Sequence, residues 1–397
     1  GFARLQRLEQ SLLAIPDGAG GVQCVDPAGG CAPINLFGPL GDLGSQEAID
    51  YVFNLTQQVI TQASLTQAQA IIDGDLGFGI SASPISFALG AEYRKYTATR
   101  LSDEASQTPG AVVGGGGAAP DINGSYNVKD FFAEVAIPVI EDSFVRDLTL
   151  EAGGRYSDYS TAGGEFTWKV GGTLTPIDGI TYRGNYQRSS RAPNIGELFT
   201  PVVTQLSNLA VDPCAGTNPV GNAALTAACV SQIVAGGASQ AAAQSLIGNI
   251  LQPAAGQINI TTGGNPDVGV ETATTWTVGA VFEPMYNLSF TVDYFNIKVE
   301  DAITTPTVND LVGGCYDAPS ASNPFCSLIL RSATTGGLDG SPNEVPGLLL
   351  SLSNLGTIKT DGIDVSMRYR TSLTDDIGFR FSTDGTWTNR NEFQATP

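Results

Sequence analysis

The residues able to do chemistry are few, and their spacing excludes more than it allows. The chain contains no histidine, which removes Ser-His-Asp and Cys-His catalysis and every His-ligated metal site. The cysteines fall into local pairs: Cys24 with Cys31, Cys214 with Cys229, Cys315 with Cys326. None has CxxC spacing, so a zinc site is not indicated. An even number in loop-like sequence reads as disulfides formed in an oxidising compartment, with free buried thiols as the alternative. Adjacent acids occur at Asp103-Glu104, Glu141-Asp142 and Asp375-Asp376. Each sits where a turn is expected, so turn chemistry outweighs a catalytic carboxylate pair. The run Gly114–Gly117 lacks the Lys-Ser/Thr that follows a phosphate loop, and reads as part of a flexible external connection. No catalytic residue, metal or cofactor is assigned, and no enzymatic activity is expected.

Composition narrows the partners. The 397 residues carry 19 Lys+Arg against 39 Asp+Glu, a net charge of −20. Cations this sparse and scattered cannot neutralise phosphates, which argues against nucleic acid. The charge reads instead as a solubility charge on an exported protein. With 48 Gly, 22 Pro and 15% charged residues, the chain is turn-rich, and neither disordered nor a helical bundle. No apolar run reaches the roughly 18 residues of a transmembrane helix.

The elements that would position any site are strands, because apolar residues recur with period two. In the stretch beginning at Ile180, Ile180, Tyr182, Gly184 and Tyr186 alternate with Thr181, Arg183, Asn185 and Gln187. The strand then passes Arg188 and Arg191, and Pro193 ends it because proline has no amide hydrogen to donate. Further alternating stretches are Ala70–Ala82, Ile85–Ala98, Val128–Ile140, Leu148–Tyr159, Glu165–Thr175, Thr272–Glu283, Leu288–Glu300, Lys359–Thr371 and Ile377–Thr388. In Leu288–Glu300 the apolar phase switches after Tyr294, which a β-bulge or emergence above a bilayer would explain.

Connections sort by length. Glu141–Asp147, Pro176–Gly179, Glu283–Asn287 and Ser372–Asp376 are short; Thr99–Tyr126, Pro193–Val270 and Thr304–Asn354 are long, with Ser160–Gly163 the exception. Short turns on one rim and long loops on the other are the asymmetry of outer-membrane barrels, whereas a soluble sandwich does not sort its loops in this way. Residues 1–69 read mainly as an external loop with short helical pieces at Arg4–Ala14 and Gln46–Asn54, and residues 70–392 as strands and loops. The fold class is all-β: a transmembrane antiparallel β-barrel, about ten strands of it visible. Open edges and a bare apolar face require further strands. Val135, Ile137, Val170, Val278, Val365 and Phe381 are expected to face lipid. Glu92, Arg94, Glu134, Glu151, Arg155, Lys169, Arg183, Asp364, Arg368 and Arg380 are expected to face the lumen, where they pair across strands. Tyr156, Tyr159, Trp168, Tyr182, Tyr186 and Trp387 are girdle candidates, ordinary strand packing being the competing reading.

Three motifs, in order, carry a family resemblance: YRGNYQRSSRAPNIGELFTP from Tyr182, GGNPDVGVETATTWTVGAVFEPMYNLSFTVDYFNIKVEDAI from Gly263, and NLGTIKTDGIDVSMRYR from Asn354. Together they resemble the TonB-dependent outer-membrane receptors of Gram-negative bacteria. The resemblance implies a plugged barrel of about 22 strands, of which this chain is a fragment. It places a plug with a TonB-contacting segment before Gly1 and closing strands after Pro397. It implies localisation in the outer membrane, lipid contact, a small-molecule ligand and energy from the TonB complex acting on the plug, which the lumen charges would hold. Arg183, Arg188, Arg191, Pro193, Asn194 and Glu197 are read as architectural signature residues. Tyr316 and Phe325 are ligand candidates beside the third cysteine pair.

The expected function is energised uptake of a scarce solute, such as an oligosaccharide or a ferric siderophore. A passive porin, or a secreted β-rich carbohydrate-binding protein or hydrolase, are the alternatives. The long loops are nearly devoid of cations: 193–270 has none, and 304–354 has Arg331 alone. Amides, hydroxyls and aromatic faces suit a neutral polyhydroxy ligand better than an anionic chelate.

Overall fold

The computed structural model describes residues 2–38, 43–108, 110–114, 118–320, 322–341, 343–372 and 374–395. Gly115–Gly117 of the glycine run lie outside them. A ten-stranded antiparallel sheet forms a wall. Before it come helix α1 (Leu5–Leu12), strands β1 (Ala14–Pro16) and β2 (Val22–Cys24), and helix α2 (Gln46–Val52). The wall strands are β3 (Val59–Asp75), β4 (Ser86–Ser102), β5 (Ile122–Glu141), β6 (Asp147–Tyr159), β7 (Gly163–Ile177), β8 (Ile180–Arg191), β11 (Glu271–Met285), β12 (Leu288–Thr304), β15 (Ser353–Ser372) and β16 (Gly378–Gln394). Each pairs with the next one in this sequence, so the wall is a continuous meander. No helix among the described residues is long and apolar enough to cross a membrane.

The register explains why the wall has two unlike faces. Ile137, Leu150, Gly172, Gly184, Val278, Tyr294, Ile363 and Trp387 are successive partners across eight neighbouring strands. Phe87, Val135, Ala152, Val170, Tyr186 and Trp276 form the adjoining row. Aromatic rings meet along this face, Trp168 with Tyr186 at 5.3 Å and Trp276 with Tyr294 at 4.9 Å. The face is uncovered: Val170 is 46%, Val278 52% and Trp387 61% exposed. Because side chains alternate sides along a strand, the residues between these rows make the other face polar.

Strand ends differ from the alternation in informative ways. The first strand runs over Val59–Asp75 rather than Ala70–Ala82, so it begins inside the segment read as external loop. Its Gln, Thr, Ser and Ala residues hide the alternation, while the apolar Leu76, Phe78 and Ile80 belong to the turn that follows. β4 and β5 likewise extend to Ser102 and from Ile122, shortening the loop between them to 103–121. In β12 the register runs unbroken through Tyr294 and Phe295, so the phase switch there is not a bulge. Its register shifts lie elsewhere, against β15 at Val299/Ala302 and Ala302/Thr304 and against β11 at Phe282/Met285.

On the long-loop rim the N-terminal segment has a small core of Ala3, Ile34, Ala48, Tyr51 and Val52. It bridges to the following loop through Arg4 and Val112. That loop carries the short α3 (Glu104–Gln107), and α4 (Ile195–Phe199) follows β8. Residues read as two separate long loops fold together into a lobe. Its sheet has the order β13 (Ile329–Leu330), β14 (Gly347–Ser351), β10 (Gln257–Gly263), β9 (Val203–Asn208). β10 and β14 come from different loops and pair in parallel, Ile260 opposite Leu348. Helices α5 (Ala223–Ala235), α6 (Gln240–Leu246), α7 (Val308–Tyr316) and α8 (Pro324–Ser327) complete the lobe. α5 and α6 are rich in alanine, each capped by a side chain (Asn222, Ser239), and Gly237 with φ +108° makes the break between them. Ala228, Ile258, Leu311, Ile329 and Leu348 form one lobe core. Cys214, Cys229, Ile233 and Ile250 belong to a second.

Candidate functional site

The place where the chain leaves the wall is a knot of ion pairs. The Arg191 guanidinium donates to Glu271 Oε1 at 2.6 Å and is 3.0 Å from Glu197 Oε2. Asn194 and Glu197 cap α4 reciprocally: the Glu197 N–H donates to Asn194 Oδ1 at 2.9 Å, and the Asn194 N–H to Glu197 Oε2 at 2.7 Å. Pro193, next in the chain to this cap, is buried. Glu271 Oε2 also accepts from the Ile303 N–H at 3.1 Å, which draws β12 into the knot. Asn354 fastens β15 to it, accepting from the Gly269 N–H at 2.7 Å and donating to the Asp301 carbonyl at 2.9 Å. Glu271 and Asn354 are the members sequence reasoning did not single out, although both lie in the quoted motifs.

The other signature arginines serve the wall. Arg183 donates to Asp293 at 2.8 and 2.6 Å across the intervening strand β11. It can do so because Gly279 lies between them; a Cβ there would sit 2.0 Å from Asp293 Oδ1. Arg188 pairs with Glu165. On the same polar face Arg94 and Arg155 both hold the buried Asp130, Arg155 also reaches Glu92, and Lys169 meets Glu134 at 3.1 Å. Asp364 accepts from Thr386 at 2.6 Å. The expected cross-strand pairing is therefore present over most of the face. Among the described residues Glu151, Arg368 and Arg380 have no ion pair, nor does Arg370, which the sequence reading passed over. None of the three arginines has a carboxylate within ion-pair distance among the described residues.

Disulfides join Cys24–Cys31 in the N-terminal segment, and Cys214–Cys229 and Cys315–Cys326 in the two insertions of the lobe. Between the two insertions lies a buried polar cluster. Arg331, with no solvent exposure, donates to both oxygens of the equally buried Asp212 at 2.6 and 2.7 Å. It also donates to Gln232 Oε1 at 2.8 Å and to the Tyr316 hydroxyl at 2.9 Å. Burial by itself would lower the Arg331 pKa, but Tyr316 and Asp212 hold it above the ordinary arginine value. Tyr316 in turn donates to Gln232 at 2.7 Å. Tyr316 is thus engaged inside the lobe, and Phe325 packs over Gly314 at the first core. The structure places both ligand candidates against the lobe cores, each of them partly exposed.

The family model described as "TonB dependent receptor-like, beta-barrel" matches residues 33–397. No curated protein matches the chain. Among solved structures, the siderophore receptor PirA from Acinetobacter baumannii is similar at 14% identity and TM-score 0.50, over 86% of this chain and 39% of that one. A mutant ferric enterobactin receptor, PfeA from Pseudomonas aeruginosa, is similar at 13% identity and TM-score 0.50, over 83% and 36%. The chain therefore spans less than half the length of these structures, and the likeness is one of fold.

Proposed function

We propose, from the premise that this chain belongs to the TonB dependent receptor-like β-barrel family, that it is wall and external lobe of an outer-membrane receptor. The receptor takes up a scarce solute into the periplasm using energy delivered through TonB. The observation that carries this reading is the apolar face running strand to strand across the wall, with Val278 52% and Phe131 63% exposed. Soluble monomers rarely expose contiguous apolar patches above a few hundred Å², whereas a bilayer covers such a face at no cost. The opposite, polar face then lines the lumen, short turns face the periplasm and the lobe faces outward.

The lobe favours a neutral, polyhydroxylated solute over an anionic ferric chelate. Its single cation, Arg331, is spent on Asp212 and has no exposure, so the lobe surface offers no guanidinium to steer or hold an anion.

The test uses the full-length receptor. Fractionation should place it in the outer membrane, with heat-modifiable mobility on gels. Uptake of the bound solute should stop when the proton gradient is collapsed. Unchanged uptake together with ion conductance in planar bilayers would mark a passive porin, and solubility without detergent a secreted protein. Tight, salt-sensitive capture of an anionic ferric complex with no glycan binding would overturn the choice of solute.

A further inference from the structure

Toward the long-loop rim the apolar face of the wall ends in a line of aromatic residues, and lysines lie beyond it. Tyr93 on β4, Phe131 on β5, Tyr156 on β6, Tyr186 on β8, Tyr294 on β12 and Trp387 on β16 mark the line. The rung of Tyr93 meets β5 at Lys129, and the rung of Trp387 meets it at Ile137. Between β4 and β16 the line therefore shifts eight residues over eight strand steps. That is about 27 Å along the strands against about 38 Å across them. Strands tilted by about 35° make such a line level, and this is the tilt of an outer-membrane barrel. On the same face, beyond the line, stand Lys95, Lys129, Lys298 and Lys359, four of the chain's five lysines. Lys298 is held by Glu300 at 2.6 Å. Lys95, Lys129 and Lys359 have no carboxylate within ion-pair distance among the described residues, although Asp158 is the register partner of Lys129 and Glu392 that of Lys359. The arginines at this level are matched, Arg188 by Glu165 and Arg390 by Asp361. At the short-turn end the apolar face carries no cation among the described residues, and Arg146 in the turn is 2.7 Å from Asp142 and 2.9 Å from Asp178.

We propose that Lys95 and Lys129, with Lys359 further round the wall, bind the phosphate groups of lipids in the leaflet on the lobe side. The inference rests on the apolar face lying in a bilayer, and adds a selection among lipids that apolar contact alone does not make. Depth supports it. Lys95 and Lys129 follow Tyr93 and Phe131 by two residues, which on tilted strands puts them about 5–6 Å above the apolar core. The headgroup layer is itself about 5–7 Å deep. Lys359, four residues beyond Ile363, stands about 11 Å above the core and reaches back along its apolar stem. Spacing supports it as well. Lys129 is directly opposite Tyr93, and Lys95 is diagonal to Lys129 at about 7–8 Å, so two flexible ammonium groups can converge on one phosphate beside an interfacial ring. A chain of net charge −20 repels an anionic surface as a whole. Local lysines then have to supply the attraction, and their restriction to one end of the face assigns it to one leaflet. The apolar phase of β12 switches for the same reason: Asn296, Lys298 and Glu300 take the outward places where the strand has left the apolar core.

The test places the full-length receptor in nanodiscs of phosphatidylcholine with a minority of phosphatidic acid. Native mass spectrometry then counts the phosphatidic acid that stays with the receptor on release. A lysine near an anionic surface is worth about fivefold in affinity. Lys95→Gln with Lys129→Gln should therefore lower the retained phosphatidic acid at least tenfold, while Arg at both positions should keep it. Lys169→Gln on the polar face should leave it unchanged. Heat-modifiable gel mobility of each variant reports separately whether the wall has assembled. An assembled double Gln variant that retains phosphatidic acid as the parent does overturns the proposal, and so does an equal loss in Lys169→Gln. Displacement of the lipid by millimolar inorganic phosphate also overturns it, by showing a site for the free anion. A receptor that does not enter the bilayer fails the membrane reading itself, whereas one that enters without enriching phosphatidic acid fails this inference alone.

Discussion

Removing the carboxylate of the lobe's buried pair should unfasten the lobe and leave the wall intact. Asp212→Ala deletes both oxygens that meet Arg331 at 2.6 and 2.7 Å and strands a guanidinium with no route to solvent. Breaking a buried pair by removing one partner costs about 3–5 kcal/mol. The neutral acceptors that remain, Gln232 Oε1, the Tyr316 hydroxyl and the Gly336 carbonyl, place this case near the lower end, about 3 kcal/mol. At 1.4 kcal/mol per tenfold, opening of the lobe becomes roughly a hundredfold more frequent. Hydrogen exchange on the receptor in detergent reads this directly. Amides of the β10–β14 pairing should exchange faster by that factor, and those between β6 and β7 should not change. Replacing both partners, Asp212→Leu with Arg331→Met, should recover most of the protection because no charge is left buried. Exchange in Asp212→Ala within about threefold of the parent, or acceleration spread equally over the wall, would refute the reasoning.

Other outcomes follow from the same geometry. Val278→Arg on the apolar face should cost about 2–4 kcal/mol of wall stability in lipid, while Thr277→Arg on the polar face should cost far less, as read by urea-induced unfolding in vesicles. Arg191→Ala leaves Glu197 and Glu271 facing each other, and with partial exposure the loss is about 1–2 kcal/mol. It should reduce assembled receptor before it alters ligand affinity, and normal assembly with lost binding would reverse that order. Replacing Cys214 and Cys229 by alanine releases a loop of sequence separation 15. About 3 kcal/mol of lobe stability should go with it, seen as faster proteolysis within the lobe. Asp103 accepts from the Gln58 and Ser106 N–H groups, which lower its pKa. A depressed folded pKa stabilises above the unfolded value near 3.9 and is lost as pH falls through the folded one. Asp103→Asn should therefore matter at pH 7, and its effect should fade below about pH 4.

How much of this was legible varied with the physics of each element. The wall could be read because its strands alternate without interruption: Phe131, Ala133, Val135 and Ile137 share a face in sequence and in register. β3 was misplaced because Thr61, Gln62, Ser64 and Gln67 supply polar character on both faces. Period-two reasoning has no purchase on such a strand. The lobe reads in sequence only as two long connections, since β9, β10 and β14 are short and their pairing joins Ile260 to Leu348 across two wall strands. Nothing local predicts a parallel pair of that kind. For the buried cluster a signal existed. Arg331 is the single cation of its insertion and directly follows Ile329 and Leu330, which marks it as a core cation in need of a partner. That the partner is Asp212, rather than Asp310 or Asp339, is a fact of three-dimensional packing.

The lobe's attachment points imply modularity. Arg191, where the first insertion departs, is the direct partner of Glu271, where it returns. Thr304 and Ser353 bracket the second insertion in the same manner. Each excursion begins and ends on one rung, so the wall's pairing is indifferent to the length and fold of what is carried there. The cassettes are nevertheless not independent of each other, because β10 comes from one and β14 from the other. A graft exchanging 192–270 alone would leave β14 without its parallel neighbour and Arg331 without its counter-charge. Transplanting 192–270 and 305–352 together keeps both, so a change of ligand specificity by loop transfer has to move them as a matched set.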